Sequence, residues 1–133
     1  MKIALPTEDK TTVSEHFGGS PYFMVVTVKN NKVVSKEIRE KPSHKDYAGN
    51  EEHPPLNERG RHGFGPQASE RHKQIYEVIK DCDVLISGRM GFGAYLDMQD
   101  FGMKVIVCDT KDIDEAVSLY LNGKLPHKEE RVC

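Results

Sequence analysis

The sequence predicts an α/β fold, in which one mixed sheet of about five strands has helices packed against it. Two observations lead to this prediction. In the N-terminal part, strand-like segments follow one another through short turns, which is typical of an antiparallel meander. In the C-terminal part, short apolar strands alternate with helical patterns, which requires parallel strands joined by right-handed crossovers. We expect residues 1–133 to form a single domain.

Three strands are predicted in the N-terminal part. The first is expected to end at Pro6, and the second is dense in aromatic and β-branched residues. The third returns after the tight-turn signal Asn30-Asn31, and its lysines are typical of a half-exposed edge strand. These strands cover Lys2–Leu5, Tyr22–Val28 and Lys32–Ile38.

A long loop rich in histidine, glycine and proline is predicted at about residues 40–67. It contains few aliphatic residues, so it cannot bury enough apolar surface to offset the entropy lost when its backbone is ordered. We therefore expect it to be mobile unless a ligand or partner fixes it. A helix should then begin at Ser69 and end near Lys80, because Ile75 and Ile79 lie on one face at helical spacing.

The C-terminal half alternates strands with helices. Gly102 and Gly123 stand where left-handed C-terminal caps are expected, and Asp112 is a candidate N-cap with Glu115 three residues later. The tail from Leu125 is highly charged, so we expect it to fray. The predicted elements are a strand over Asp83–Ser87, a helix from the glycine-rich turn to about Phe101, a strand over Lys104–Cys108 and a helix through Leu121.

The glycine-rich turn Gly88-Arg89-Met90-Gly91 is the first candidate binding site. A helix that begins there directs free N–H groups and the positive end of its dipole outward, and a guanidinium beside them suits an anion. The turn lacks the Lys-Ser/Thr of a phosphate-binding P-loop and the spacing of a dinucleotide fingerprint. The alternative is a tight turn whose glycines only relieve steric crowding.

Histidine side chains are the candidate metal ligands. If the first and fourth strands are parallel neighbours, His16 and Gly88–Gly91 face the same crevice. The spacing of His44, His53, His62 and His72 matches no compact zinc motif, so solvated loop histidines are the simpler interpretation. They are also candidates for a lid over a bound metal or cluster. Three scattered cysteines cannot form a Cys₄ iron–sulfur site, although Cys108 falls at a strand end.

Composition excludes several classes of function. The net charge of −2 argues against a general binder of nucleic acid or of a membrane surface. No apolar run is long enough to span a bilayer, and the N-terminus does not match a signal peptide, so a cytoplasmic protein is expected. A three-strand meander followed by alternating α and β elements also describes ribonuclease H-like folds. The first strand carries no carboxylate, however, which argues against a two-metal nuclease.

Two segments together carry a resemblance to a known family. The stretches Val13-Ser14-Glu15-His16-Phe17-Gly18-Gly19-Ser20-Pro21-Tyr22-Phe23 and Gly88-Arg89-Met90-Gly91-Phe92-Gly93-Ala94-Tyr95 resemble the dinitrogenase iron–molybdenum-cofactor biosynthesis family. The pattern around Asp112–Val117 and Gly123-Lys124-Leu125 is also similar to that family. The resemblance implies a ribonuclease H-like fold without nuclease activity. It also implies a role in binding or carrying an iron–sulfur cluster, the iron–molybdenum cofactor or its precursors.

On this basis we expect a non-catalytic metallocluster-binding protein. The expected partners are metallocluster donor or acceptor proteins, without nucleic acid or membrane. A phosphate-binding hydrolase that uses the glycine-rich turn and a plain protein-interaction module remain the alternatives. The expected cofactor-binding residues are His16, Phe17, Gly18, Gly88, Arg89, Met90 and Gly91, and the expected metal ligands are His16, His62 and His72.

Overall fold

The computed structural model describes residues 1–40 and 66–132, which contain a five-stranded mixed sheet covered by helices on both faces. The strand order is β3-β2-β1-β4-β5. Strands β1, β2 and β3 pair antiparallel, whereas β4 and β5 lie parallel to β1. The strands are β1 (Lys2–Thr7), β2 (Tyr22–Lys29), β3 (Lys32–Glu40), β4 (Val84–Ser87) and β5 (Lys104–Val107). The helices are α1 (Pro66–Ile79), α2 (Phe92–Asp100), α3 (Ile113–Leu121) and a 3₁₀ turn at Glu129–Arg131.

The predicted fold class is confirmed, including the parallel pairing of β1 with β4. Both strands are buried because each has a helix layer on either side. On one face, Ile79 of α1 and Met98 of α2 pack with Phe23 and Leu85. On the other face, Val117 of α3 packs in a second apolar cluster. Strand β3 is the exposed edge that its lysines predict.

Turn and cap residues follow local chemistry closely. Asn30 and Asn31 both have positive φ, as expected for the tight turn between β2 and β3. Gly102 and Gly123 also have positive φ directly after α2 and α3. The side chain of Asp112 accepts a hydrogen bond from the Glu115 N–H at 2.9 Å, which confirms it as the N-cap of α3.

Two element boundaries differ from the prediction. Strand β1 continues through Pro6 to Thr7, because the antiparallel pairing with β2 extends that far. Helix α1 begins at Pro66 rather than Ser69, since proline fits the first turn of a helix, where no amide hydrogen bond is lost.

Most of the predicted loop over residues 40–67 lies outside the described residues. Within the described part of the chain, no helix has the length and apolar character needed to cross a membrane.

The C-terminal tail is docked rather than frayed. The Lys128 N–H donates to the Val107 carbonyl at 2.6 Å, and the Val107 N–H donates to Nδ1 of His127 at 3.0 Å. These bonds satisfy backbone groups at the edge of β5. Val132 then forms a parallel β-bridge with Met90. Charge alone suggested a solvated tail, but tertiary hydrogen bonds hold it against the sheet.

Candidate functional site

A crevice of about 700 Å³ opens at the carboxyl ends of β1 and β4. Since these strands are parallel neighbours, the segment after β1 and the turn after β4 meet at one edge of the sheet. Six of the seven predicted cofactor-binding residues line the crevice, whereas Gly88 does not. Binding by these residues stays a prediction. The lining residues are Glu8, Glu15, His16, Phe17, Gly18, Gly19, Pro21, Arg89, Met90 and Gly91.

Ser14 joins the two walls of the crevice. Its N–H donates to the Pro6 carbonyl at 2.7 Å, and its own carbonyl accepts from the Gly88 N–H at 3.0 Å. Its hydroxyl donates to Oε1 of Glu8 at 3.0 Å and accepts from the His16 N–H at 2.9 Å. The serine two residues before the histidine therefore sets the direction of the backbone that presents His16.

Gly88 connects the turn after β4 to the segment after β1, but it does not line the crevice. A Cβ at this position would lie 2.8 Å from the Ser14 carbonyl oxygen, so only glycine allows the two loops to approach this closely. The Gly88 N–H is already bonded to Ser14, and the Gly88 carbonyl accepts from Nε of Arg131 at 2.7 Å. Both backbone groups of Gly88 thus have partners within the protein, and a role for Gly88 in binding a cofactor stays a prediction.

The segment after β1 carries a buried aromatic side chain next to an exposed imidazole. Phe17 is buried and packs edge-to-face on Phe23, with ring centroids 6.0 Å apart. His16 is exposed and lines the crevice. Upstream, Asp9 accepts hydrogen bonds from the Thr11 and Thr12 N–H groups, which hold the pKa of its carboxyl well below the usual range. These bonds fold the loop that carries Glu8.

The turn after β4 brings the guanidinium of Arg89 and the start of helix α2 to the other side of the crevice. Arg89 lines the crevice, and its Nε lies 3.7 Å from Oε1 of Glu15. Gly91 is the N-cap of α2 and has no side chain to cap the helix, so the positive end of the helix dipole lies at the crevice. A Cβ on Gly91 would meet no atom of the described residues within 4 Å. Glycine therefore leaves space at this point.

The other predicted metal ligands are not brought to the crevice. His62 lies outside the described residues. His72 is buried between α1 and α2, where its Nδ1 lies 2.6 Å from Oδ2 of Asp97. It does not line the crevice and holds two helices together instead. Within residues 1–40 and 66–132, no group of three His, Cys, Asp or Glu side chains is placed to hold a metal ion.

The two cysteines of the described chain belong to the core. Burial raises the pKa of the Cys82 thiol to about 12, and burial also raises the pKa of the Cys108 thiol. Cys108 follows β5, as the sequence indicated, but it is fully buried and does not line the crevice. These thiols are therefore not available as ligands to a group in the crevice.

Sequence reasoning missed the charged partners of the site. Glu15 lies between Ser14 and His16, and Glu8 precedes this segment in the same loop, so closeness in sequence could have marked both as lining residues. Arg131 contacts Glu15 across 116 residues. No local pattern indicated that contact, because it depends on the docking of the tail.

Comparison with known proteins identifies a matching family model, a relative in sequence and solved structures with a similar fold. A family model described as dinitrogenase iron–molybdenum cofactor matches residues 1–123. The protein MJ0580 of Methanocaldococcus jannaschii, described as uncharacterized, is 32% identical over 127 residues, which cover 94% of this chain and 89% of that protein. The crystal structure of PH0822 has a TM-score of 0.68 at 24% identity and covers 96% of both chains. The apo orange protein of Desulfovibrio gigas has a TM-score of 0.64 at 20% identity, with 96% of this chain and 92% of that chain covered.

Proposed function

Because the chain belongs to the dinitrogenase iron–molybdenum cofactor family, we propose that it is a non-catalytic protein that binds and carries a metallocluster. The cargo is an iron–sulfur cluster, the iron–molybdenum cofactor or a precursor of that cofactor. The observation that carries the proposal is the crevice itself, where the exposed imidazole of His16 faces the Arg89 wall.

The donor set suits a preformed cluster better than a bare cation. A protein site for a single zinc or iron ion places three or four side-chain ligands around the ion, and no three His, Cys, Asp or Glu side chains of residues 1–40 and 66–132 are placed in this way. A cluster brings its own sulfide ligands and carries negative charge. It therefore needs few protein ligands and benefits from Arg89 and from the start of α2.

The contacts of the Ser14 hydroxyl support a role without catalysis. Ser14 already uses its hydroxyl to link Glu8 with the His16 backbone, so this group serves the architecture. A nucleophile needs a base positioned to remove its proton, and the imidazole of His16 is not the group that contacts Ser14. These contacts support the proposal that the site holds its cargo without reacting with it.

A carrier must receive its cargo and release it again. The crevice opens to solvent beside exposed His16, so a second protein could reach a cluster held there. The proposed partners are therefore metallocluster donor or acceptor proteins. The proposed compartment is the cytoplasm, in keeping with free thiols at Cys82 and Cys108.

Anaerobic reconstitution tests the proposal. The purified protein is incubated with iron and sulfide, with and without molybdate, and visible charge-transfer absorbance and bound metal are measured. We expect absorbance that weakens in His16→Ala and persists in Thr11→Ala, an exposed control in the same loop. Absence of absorbance and of thermal stabilisation by any metal or cluster would refute a carrier role. Stabilisation by nucleotides or inorganic phosphate alone would favour the phosphate-binding hydrolase.

A further inference from the structure

The C-terminal segment 127–132 reaches the crevice although it lies beyond the residues that the family model matches. His127 and Lys128 attach the start of this segment to β5. Tyr95 stacks on His127 with ring centroids 5.7 Å apart, which fixes the segment from the side of α2. Val132 pairs with Met90, a lining residue. The segment is therefore part of the wall behind the crevice.

Arg131 ties the two loops of the crevice together. Its guanidinium donates a hydrogen bond to Oε1 of Glu15 through Nη2 and a second one to the Gly88 carbonyl through Nε at 2.7 Å. Its side chain is only 20% exposed, whereas that of Glu15 is 47% exposed and lines the crevice. Arg89 approaches the same carboxylate oxygen from farther away, at 3.7 Å.

We propose that Arg131 is the residue that determines the charge preference of the crevice, by neutralising Glu15 so that the site accepts an anionic group. This inference rests on the proposed function and names the class of cargo that the site prefers. With Glu15 paired to Arg131, the positive groups at the crevice are Arg89 and the start of α2. The other carboxylate of its described lining is Glu8, which accepts a hydrogen bond from the Ser14 hydroxyl. An anionic group is the class of ligand that these positive groups suit, and molybdate is the probe used for it below.

Removing Arg131 should reverse the preference. The Glu15 carboxylate then faces the crevice with the carboxylate of Glu8, and it draws the guanidinium of Arg89 toward itself. The two carboxylates then raise the negative charge at the crevice, which attracts a divalent cation without a preformed set of ligands. The same substitution should therefore weaken anion binding and strengthen cation binding, which a simple loss of structure would not do.

Calorimetric titration with molybdate and with Co²⁺ tests the proposal on the full chain. We expect Arg131→Gln to bind molybdate about tenfold more weakly than the unmodified protein, since one unpaired charge near the ligand is worth a factor of this order. Co²⁺ binding should strengthen in the same variant. Lys128→Gln removes a positive charge from the same segment away from the crevice, and it should change neither affinity.

The double variant Glu15→Gln/Arg131→Gln separates charge from architecture. If Arg131 acts through Glu15, removing both charges restores molybdate affinity to within about twofold of the unmodified protein. A double variant that stays as weak as Arg131→Gln overturns the proposal, because Arg131 then acts by holding Gly88. No detectable molybdate binding by the unmodified protein also overturns it. If cluster reconstitution fails but molybdate binding still depends on Arg131, the carrier role is refuted and the proposal for Arg131 stands.

Discussion

Substituting Gly88 by alanine should destabilise the protein, although the change adds a single methyl group. The new Cβ would lie 2.8 Å from the Ser14 carbonyl oxygen and 3.2 Å from Cγ of Glu15. The first of these neighbours is backbone held by its own hydrogen bonds, so it cannot move cheaply. Overpacking of this kind costs about 1–3 kcal/mol, and losing the bond from the Gly88 N–H to Ser14 adds roughly 1 kcal/mol.

The free energy of unfolding should therefore fall by about 2–4 kcal/mol, which corresponds to a decrease in Tm of roughly 6–15 °C for a chain of this size. Thermal unfolding followed by circular dichroism measures the change. Gly91→Ala is the matched control, because its backbone (φ −67°, ψ 152°) accepts alanine and its Cβ meets no described atom within 4 Å. We expect its stability to change by less than about 1 kcal/mol.

The two variants should also differ in binding. The methyl group of Gly91→Ala enters the crevice, so cluster uptake should fall while Tm is nearly unchanged. An unchanged Tm in Gly88→Ala would refute the view that the two loops can pack only with glycine at this position. Equal losses of Tm in the two variants would refute the view that Gly91 leaves open space in the crevice.

Three further predictions concern the scaffold. Hydrogen bonds from Arg39 lower the pKa of Asp81, so the stability from this carboxylate is present above the unfolded pKa of about 4 and is lost as the pH falls below it. Tm measured against pH should fall less steeply below about pH 4 in Asp81→Asn. Cys82, whose pKa is raised to about 12, should not react with a thiol reagent at pH 8 until denaturant is added. Because Cys133 can also react, the labelled residue is identified by mass spectrometry, and labelling of Cys82 in the native protein would contradict its burial. His72→Ala should lower the free energy of unfolding by about 2–3 kcal/mol, since it leaves Asp97 without its partner, and should leave cluster uptake intact. Loss of uptake at unchanged stability would instead identify His72 as a ligand.

The sequence by itself determined the features that depend on near neighbours. The alternation of short apolar strands with helices was enough to predict that β1 and β4 are parallel, and hence that His16 and Arg89 share a crevice. Periodicity identified the buried face of α1, and Gly102 and Gly123 marked the ends of two helices. These signals are local, because the spacing of side chains on one helix or strand follows from its backbone geometry.

Only the tertiary structure decided which charges meet. Arg131 and Glu15 are 116 residues apart, and His72 and Asp97 belong to different helices. The need for glycine at position 88 comes from the carbonyl of Ser14 in another loop. No residue pattern encodes such pairs, since each depends on how elements pack once the sheet has formed. The crevice could thus be located from the sequence, but its charge is set by contacts between distant segments.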